Sequence, residues 1–149
     1  LILPKNIKVF NNRHSLITII KILCKALQED NIVTQDYISD ITELINQYGP
    51  YMLMSSNTFL AHAAPSSHTK KVGLAIGILS KPIGIEVNHK NEYISCVILL
   101  SPGYHHEHDV ALAQLINLIG NKNVFKRLLA AKNSNLGYRI IRMYYKNNT

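Results

Sequence analysis

Apolar residues recur at Leu16, Ile19, Ile20, Leu23 and Leu27, the spacing of one face of an α-helix. The period predicts a helix over 15–28, started by Ser15 or Asn12 as its cap. The same spacing returns at Ile38, Ile41, Leu44, Ile45 and Tyr48, which predicts a second helix over 35–48 with Thr34 as N-cap. Gly49-Pro50 stops it, because proline cannot continue a helix and glycine suits the turn. The pattern then shortens. Residues 51–54 and 59–61 read as two short strands separated by the loop Ser55-Ser56-Asn57-Thr58, and the second delivers His62.

Over 72–79 the period is two. Val72, Leu74, Ile76 and Ile78 share one face, while Gly73, Ala75 and Gly77 leave the other open to a closely approaching backbone. Ser80-Lys81-Pro82 is expected to end that strand, and 83–87 to form another. Residues 93–100 are almost continuously apolar, as in a central strand covered on both sides, and Ser101-Pro102-Gly103 closes it. Helices follow over 105–119 (closed by Gly120), 121–131 and 135–146. Two helices, then strands, then three helices predict an α/β fold, a mixed sheet with helices on both faces in a three-layer sandwich. No internal repeat or long linker divides 1–149, which reads as one domain. The chain starts at Leu1, so a fragment of a longer polypeptide is expected.

Composition narrows the class. An apolar fraction of 47% against 17% charged residues is globular and excludes a disordered chain. No run reaches the ~18 residues of a membrane span, and no signal peptide opens the chain. Cys24 and Cys96 lie inside apolar runs, so both are expected reduced and buried, in a cytoplasmic protein. The net charge of +7 is placed unevenly. Residues 120–149 hold Lys122, Lys126, Arg127, Lys132, Arg139, Arg142 and Lys146 with no acidic residue. A solvated face of terminal helices accounts for this; a nucleic-acid surface, with Tyr144 and Tyr145 as stacking rings, is the alternative.

The chemistry lies with the histidines: His14, His62, His68, His89, His105, His106 and His108. His62 ends a short strand with only Ala61, Ala63 and Ala64 around it. His108 precedes Leu112, Leu115 and Ile119 by four, seven and eleven positions, which puts it on the apolar face one turn before the buried stripe. It therefore sits near a helix start that follows a central strand, where α/β sheets place ligands and helix amides favour anions. Two readings stand side by side for it: a hydrogen-bond donor to a phosphate or carboxylate, or a cap of its own helix. His105, His106 and His108 also form a tract able to bind zinc or nickel, but no Cys-x-x-Cys or His-Glu-x-x-His accompanies them. No Gly-x-Ser-x-Gly supports a serine hydrolase.

Six pieces occur in order: Gly49-Pro50-Tyr51, Ala61-His62-Ala63, Leu74-Ala75-Ile76, Lys81-Pro82, Glu107-His108 and Ala111-Leu112-Ala113-Gln114-Leu115. With the opening LILPKNIKVF they resemble the enzyme IIA domain of the mannitol/fructose class of the bacterial sugar phosphotransferase system. The likeness is to the branch of ascorbate-type transporters and of the IIA-like domains ending BglG-type transcriptional regulators.

The resemblance implies that His62 accepts a phosphoryl group from the phosphorylated carrier HPr. It implies that His108 is the second active-site histidine, bonding the phosphoryl oxygens. A neutral imidazole suits the first role, since its unperturbed pKa is about 6.5, and phosphoryl transfer asks mainly for alignment and charge stabilisation. The small residues around His62 then form an access route for a partner's imidazole.

Three departures stand out. Ala61 replaces the proline of many transporter members, Ser55-Ser56-Asn57 stands where a glycine turn is common, and Ile45-Asn46-Gln47 lacks the arginine of mannitol-type members. Phosphate stabilisation is then expected from Ser66, Ser67 and His68 or from backbone amides. These departures favour a regulatory domain of a sugar-responsive transcriptional regulator or antiterminator, joined to further domains of its chain. A transport component serving a IIB partner is the runner-up. No cofactor or metal is expected, and a homodimer is left open.

Overall fold

The computed structural model describes residues 4–54, 56–104 and 109–147. A 3-10 turn at Pro4–Asn6 leads into β1 (Ile7–Phe10), then α1 (Leu16–Glu29) and α2 (Tyr37–Tyr48). The strands β2 (Leu53–Met54), β3 (Thr58–Ala61), β4 (Val72–Val87) and β5 (Lys90–Pro102) follow, and then α3 (Asp109–Gly120), α4 (Lys122–Leu129) and α5 (Ser134–Asn147). The sheet order is β1-β4-β5-β3-β2. β1 runs parallel to β4 and β3 parallel to β5, while β4–β5 and β2–β3 are antiparallel. The sheet is mixed, as the pattern predicts, and the apolar run of β5 is its middle strand.

Side-chain alternation in the strands builds two cores. Phe59, Ala61, Ala75, Val97 and Leu99 face Ile20, Leu23, Leu27 and Ile41 of α1 and α2. Leu60, Leu74, Ile76, Cys96 and Ile98 face Leu115, Leu118, Phe125, Leu128 and Ile141 of α3, α4 and α5. Each fully buried Leu or Ile contributes ~1.5–3 kcal/mol relative to exposure, so both helical layers are held by the sheet. Gly73 and Gly77 make room for side chains rather than backbone. A Cβ at Gly73 would meet Ile32 at 2.7 Å, and one at Gly77 would meet Phe10 at 3.1 Å.

The ends of the helices follow from local chemistry. Ser15 caps α1, its Oγ accepting from the Thr18 amide at 3.2 Å. At α2 the cap position is Asp36 rather than Thr34, and Asp36 makes no side-chain cap bond. Thr34 Oγ1 instead accepts from the Asp36 amide at 3.4 Å, one step before the helix. Gly49 ends α2 at φ 75, a left-handed conformation that glycine adopts without a Cβ clash.

Two expectations about strands need correction. Ser80-Lys81-Pro82 does not end a strand: β4 continues to Val87 across a register shift between Ile78 and Ile83. β1 pairs only with Ile76–Leu79, so Pro82 lies on an open edge where its missing N–H breaks no ladder. The pattern also passed over β1, a four-residue strand with only Ile7 and Phe10 buried.

Both thiols are free and buried, as expected. Lys122, Lys126, Arg127, Arg139, Arg142 and Lys146 are exposed on α4 and α5, but Tyr144 and Tyr145 are half-buried against the core rather than displayed as stacking platforms.

Candidate active site

β3 is buried at all four positions and carries the chain to the end of the sheet, where His62 emerges half-buried. Parallel pairing with β5 places the carboxyl ends of both strands together, the edge at which α/β sheets put ligands. The His62 ring folds back on its own strand, with Nδ1 2.9 Å from the Leu60 carbonyl oxygen. A carbonyl only accepts, so Nδ1 carries a proton, and in the neutral ring the lone pair is on Nε2. Among the described residues Nε2 has no hydrogen-bond partner.

His62 lines an open depression of about 380 Å³ with Tyr51, Ala63, Ala64, Pro65 and the β5 residues Leu100 and Pro102. Its walls are small or apolar, and Ala64 is exposed. A second depression of about 310 Å³ adjoins it across Leu44, Ala63, Ala64 and Pro65, and is lined by Asp40, Glu43, Gln47, Ser66 and His68.

The structure therefore places Ser66 and His68 next door to His62 rather than in the same depression. Both are engaged locally. The Ser66 Oγ accepts from the His68 amide at 3.0 Å, and its N–H donates to Thr69 Oγ1 at 2.9 Å. His68 Nδ1 lies 2.6 Å from Asp40 Oδ2, and its Nε2 is 3.9 Å from Asp36 Oδ2. The Asp40 carboxylate raises the His68 pKa against partial desolvation, with Asp36 adding to it. Ser67 is exposed on the same turn. His105, His106 and His108 lie outside the described residues, so the expected pairing of His62 with His108 and the metal tract do too. Among the described residues no group of three or more His, Cys, Asp or Glu is placed to hold a metal ion.

The chain matches the family "Phosphoenolpyruvate-dependent sugar phosphotransferase system, EIIA 2" over residues 1–143. It belongs to that family. The ascorbate-specific PTS system EIIA component of Shigella boydii is 29% identical over 115 residues, 76% of this chain and 73% of that protein. Among solved structures, the mannitol-specific cryptic phosphotransferase enzyme IIA CmtB from Escherichia coli superposes with a TM-score of 0.79 at 22% identity, covering 93% of this chain and 92% of that one. The enzyme IIA of mannitol from Escherichia coli, solved in complex with phosphorylated enzyme IIB, gives 0.77 at 12% identity and covers 93% and 94%. These likenesses establish the EIIA fold, including its three-layer arrangement.

Two further residues build this candidate site. Tyr37 is fully buried at the start of α2, and its hydroxyl donates to the Leu100 carbonyl at 2.7 Å and accepts from the Ala63 amide at 2.9 Å. Burial drives its pKa well above the ordinary phenol value. Thr69, also fully buried, ties the His62 loop to the exit of β5 through Gly103, Oγ1 to carbonyl 2.8 Å. Neither has a sequence signal, because the partners are backbone atoms far away in the chain.

Proposed function

We propose that this EIIA domain takes a phosphoryl group from phospho-HPr onto Nε2 of His62. The observation that carries the reading is the Nδ1–Leu60 bond at 2.9 Å, which leaves the lone pair on Nε2, where no hydrogen-bond partner lies among the described residues. Nε2 attacks phosphorus, the phosphorus–nitrogen bond of the carrier breaks, and its electron pair returns to the carrier's imidazole. Positive charge that builds on the His62 ring strengthens the Nδ1–H bond to Leu60. Ala63, Ala64 and Pro65 leave room for the incoming imidazole, and alignment is most of what this transfer asks.

Two settings remain for the phosphorylated domain. The Shigella boydii relative is an ascorbate-specific PTS system EIIA component, which supports hand-over to a IIB partner in sugar transport. The departures at Ala61, Ser55-Ser56-Asn57 and Ile45-Asn46-Gln47 in the sequence support a regulatory domain whose phosphorylation reports sugar supply. No described helix is long and apolar enough to cross a membrane. The test is to incubate the chain and His62→Ala with enzyme I, HPr and phosphoenolpyruvate and weigh both intact. The parent should gain one acid-labile phosphoryl group and the variant none; a parent that gains nothing refutes the reading. Discharge by an ascorbate-type IIB protein then separates transport from regulation.

A further inference from the structure

β3 leaves β5 at the residue that matters. Their parallel register pairs Thr58 with Cys96 and Ala61 with Leu99. The Leu60 N–H donates on the β2 side to the Met52 carbonyl at 3.0 Å, so the even-numbered amides of β3 face β2 and the odd-numbered ones face β5. At the start of the strand the Asn57 carbonyl accepts from both the Ser95 amide at 2.8 Å and the Cys96 amide at 3.3 Å. Continued by one step, the ladder would join the Ala63 N–H directly to the Leu100 carbonyl. Those are the two groups that the Tyr37 hydroxyl joins instead, accepting from Ala63 at 2.9 Å and donating to Leu100 at 2.7 Å. One hydroxyl from α2 is inserted where the next rung would fall.

This insertion has a geometric consequence. With a hydroxyl between them the strands splay at Ala63, and His62 is the last residue before the splay. Ala61 is held in the ladder on one side and Ala63 by Tyr37 on the other. The backbone of His62 is thus fixed from both sides, and its ring is fixed by the Leu60 carbonyl two residues back. The tyrosine has no rotational freedom to spare, since it is 0% exposed and packed in the α1–α2 core. The splay also opens the depression between the His62 loop and Leu100–Pro102.

We infer that Tyr37 is a positioning residue for phosphoryl transfer: its hydroxyl replaces a sheet rung and so sets the direction and tautomer of His62. The inference rests on His62 being the phosphoryl acceptor. Removing the hydroxyl lets the strands close toward the direct Ala63–Leu100 bond or admits a water, and either shifts the His62 backbone.

The test uses Tyr37→Phe beside Ile41→Val, a core change one turn along α2 at another fully buried position that leaves the bridge intact. Two quantities are read: the rate of phosphorylation by phospho-HPr, and the ¹⁵N shifts of the His62 ring, which report its tautomer. Tyr37→Phe should slow transfer by roughly ten- to a hundred-fold, the upper figure being the scale of a 1 Å misplacement. It should also turn a single Nδ1–H tautomer into a mixture. Ile41→Val should lower the melting temperature while keeping the parental rate and shifts. Parental rate and shifts in Tyr37→Phe would overturn the inference. If the parent itself accepts no phosphoryl group, the functional reading fails and the role in transfer falls with it, while the ring shifts still judge the bridge separately: an unchanged tautomer in Tyr37→Phe overturns the hold of Tyr37 on His62 as well.

Discussion

Thr69→Val keeps the shape of the side chain and removes one hydroxyl, so its cost can be worked out from the bonds that hydroxyl makes. Thr69 Oγ1 accepts from the Ser66 N–H at 2.9 Å and shares its proton between the Gly103 carbonyl at 2.8 Å and the Ser66 carbonyl at 3.1 Å. Thr69 and Gly103 are buried, whereas Ser66 is half-buried. The Gly103 carbonyl would lose this partner without access to water, which costs about 1–3 kcal/mol. The Ser66 amide can recover a water and adds less. The sum is about 2–3 kcal/mol, and with a urea m-value of roughly 1–3 kcal/mol per molar the midpoint should fall by roughly 1–3 M. Thr69→Ser keeps the hydroxyl and loses one methyl, so it should cost about 1 kcal/mol. Urea unfolding followed by circular dichroism compares the three chains. If Thr69→Val matches or exceeds Thr69→Ser in stability, the bond to β5 does not hold the His62 loop and the reasoning fails.

Ser56 and Asn57 sit at φ 65 and 57, so Ser56→Gly should stabilise the turn between β2 and β3 by roughly 0.5–1 kcal/mol, read as a rise in melting temperature. The His68 pKa is raised above its ordinary 6.5 by Asp40, so its contribution is fully present below that value and lost as pH rises through the raised one. Melting temperature against pH should show this slope in the parent and lose it in Asp40→Asn; an unchanged slope would place it elsewhere. Burial pushes both Cys24 and Cys96 up to about 12, so a thiol reagent at pH 8 should label neither until urea unfolds the chain.

Much of the architecture is legible in the pattern because each element is coupled to a core. The stripes of α1 and α2 face one side of the sheet, and the near-continuous apolar run of β5 marks the strand with neighbours on both edges. β1 is too short to show a period, and its place is set by pairing with β4, a long-range fact. Pro82 reads as a stop only if its strand is flanked on both sides, and the end of β1 at Phe10 removes that condition. At the site, His62 is legible because three alanines surround an imidazole at a strand end. Tyr37 is not, since its hydroxyl reaches backbone atoms 26 and 63 residues away. His68 looks like a phosphate ligand in a serine-bearing loop, and only the approach of α2 puts Asp36 and Asp40 against it.

The central claim is that Nε2 of His62 is the acceptor, and the most direct measurement is phosphorus–nitrogen correlation NMR on the ¹⁵N-histidine-labelled domain after phosphorylation through HPr. The expected result is one phosphorus signal, coupled to Nε2 of His62, with Nδ1 still protonated against Leu60. A phosphorus signal on Nδ1 of His62, or on any other histidine, would contradict it.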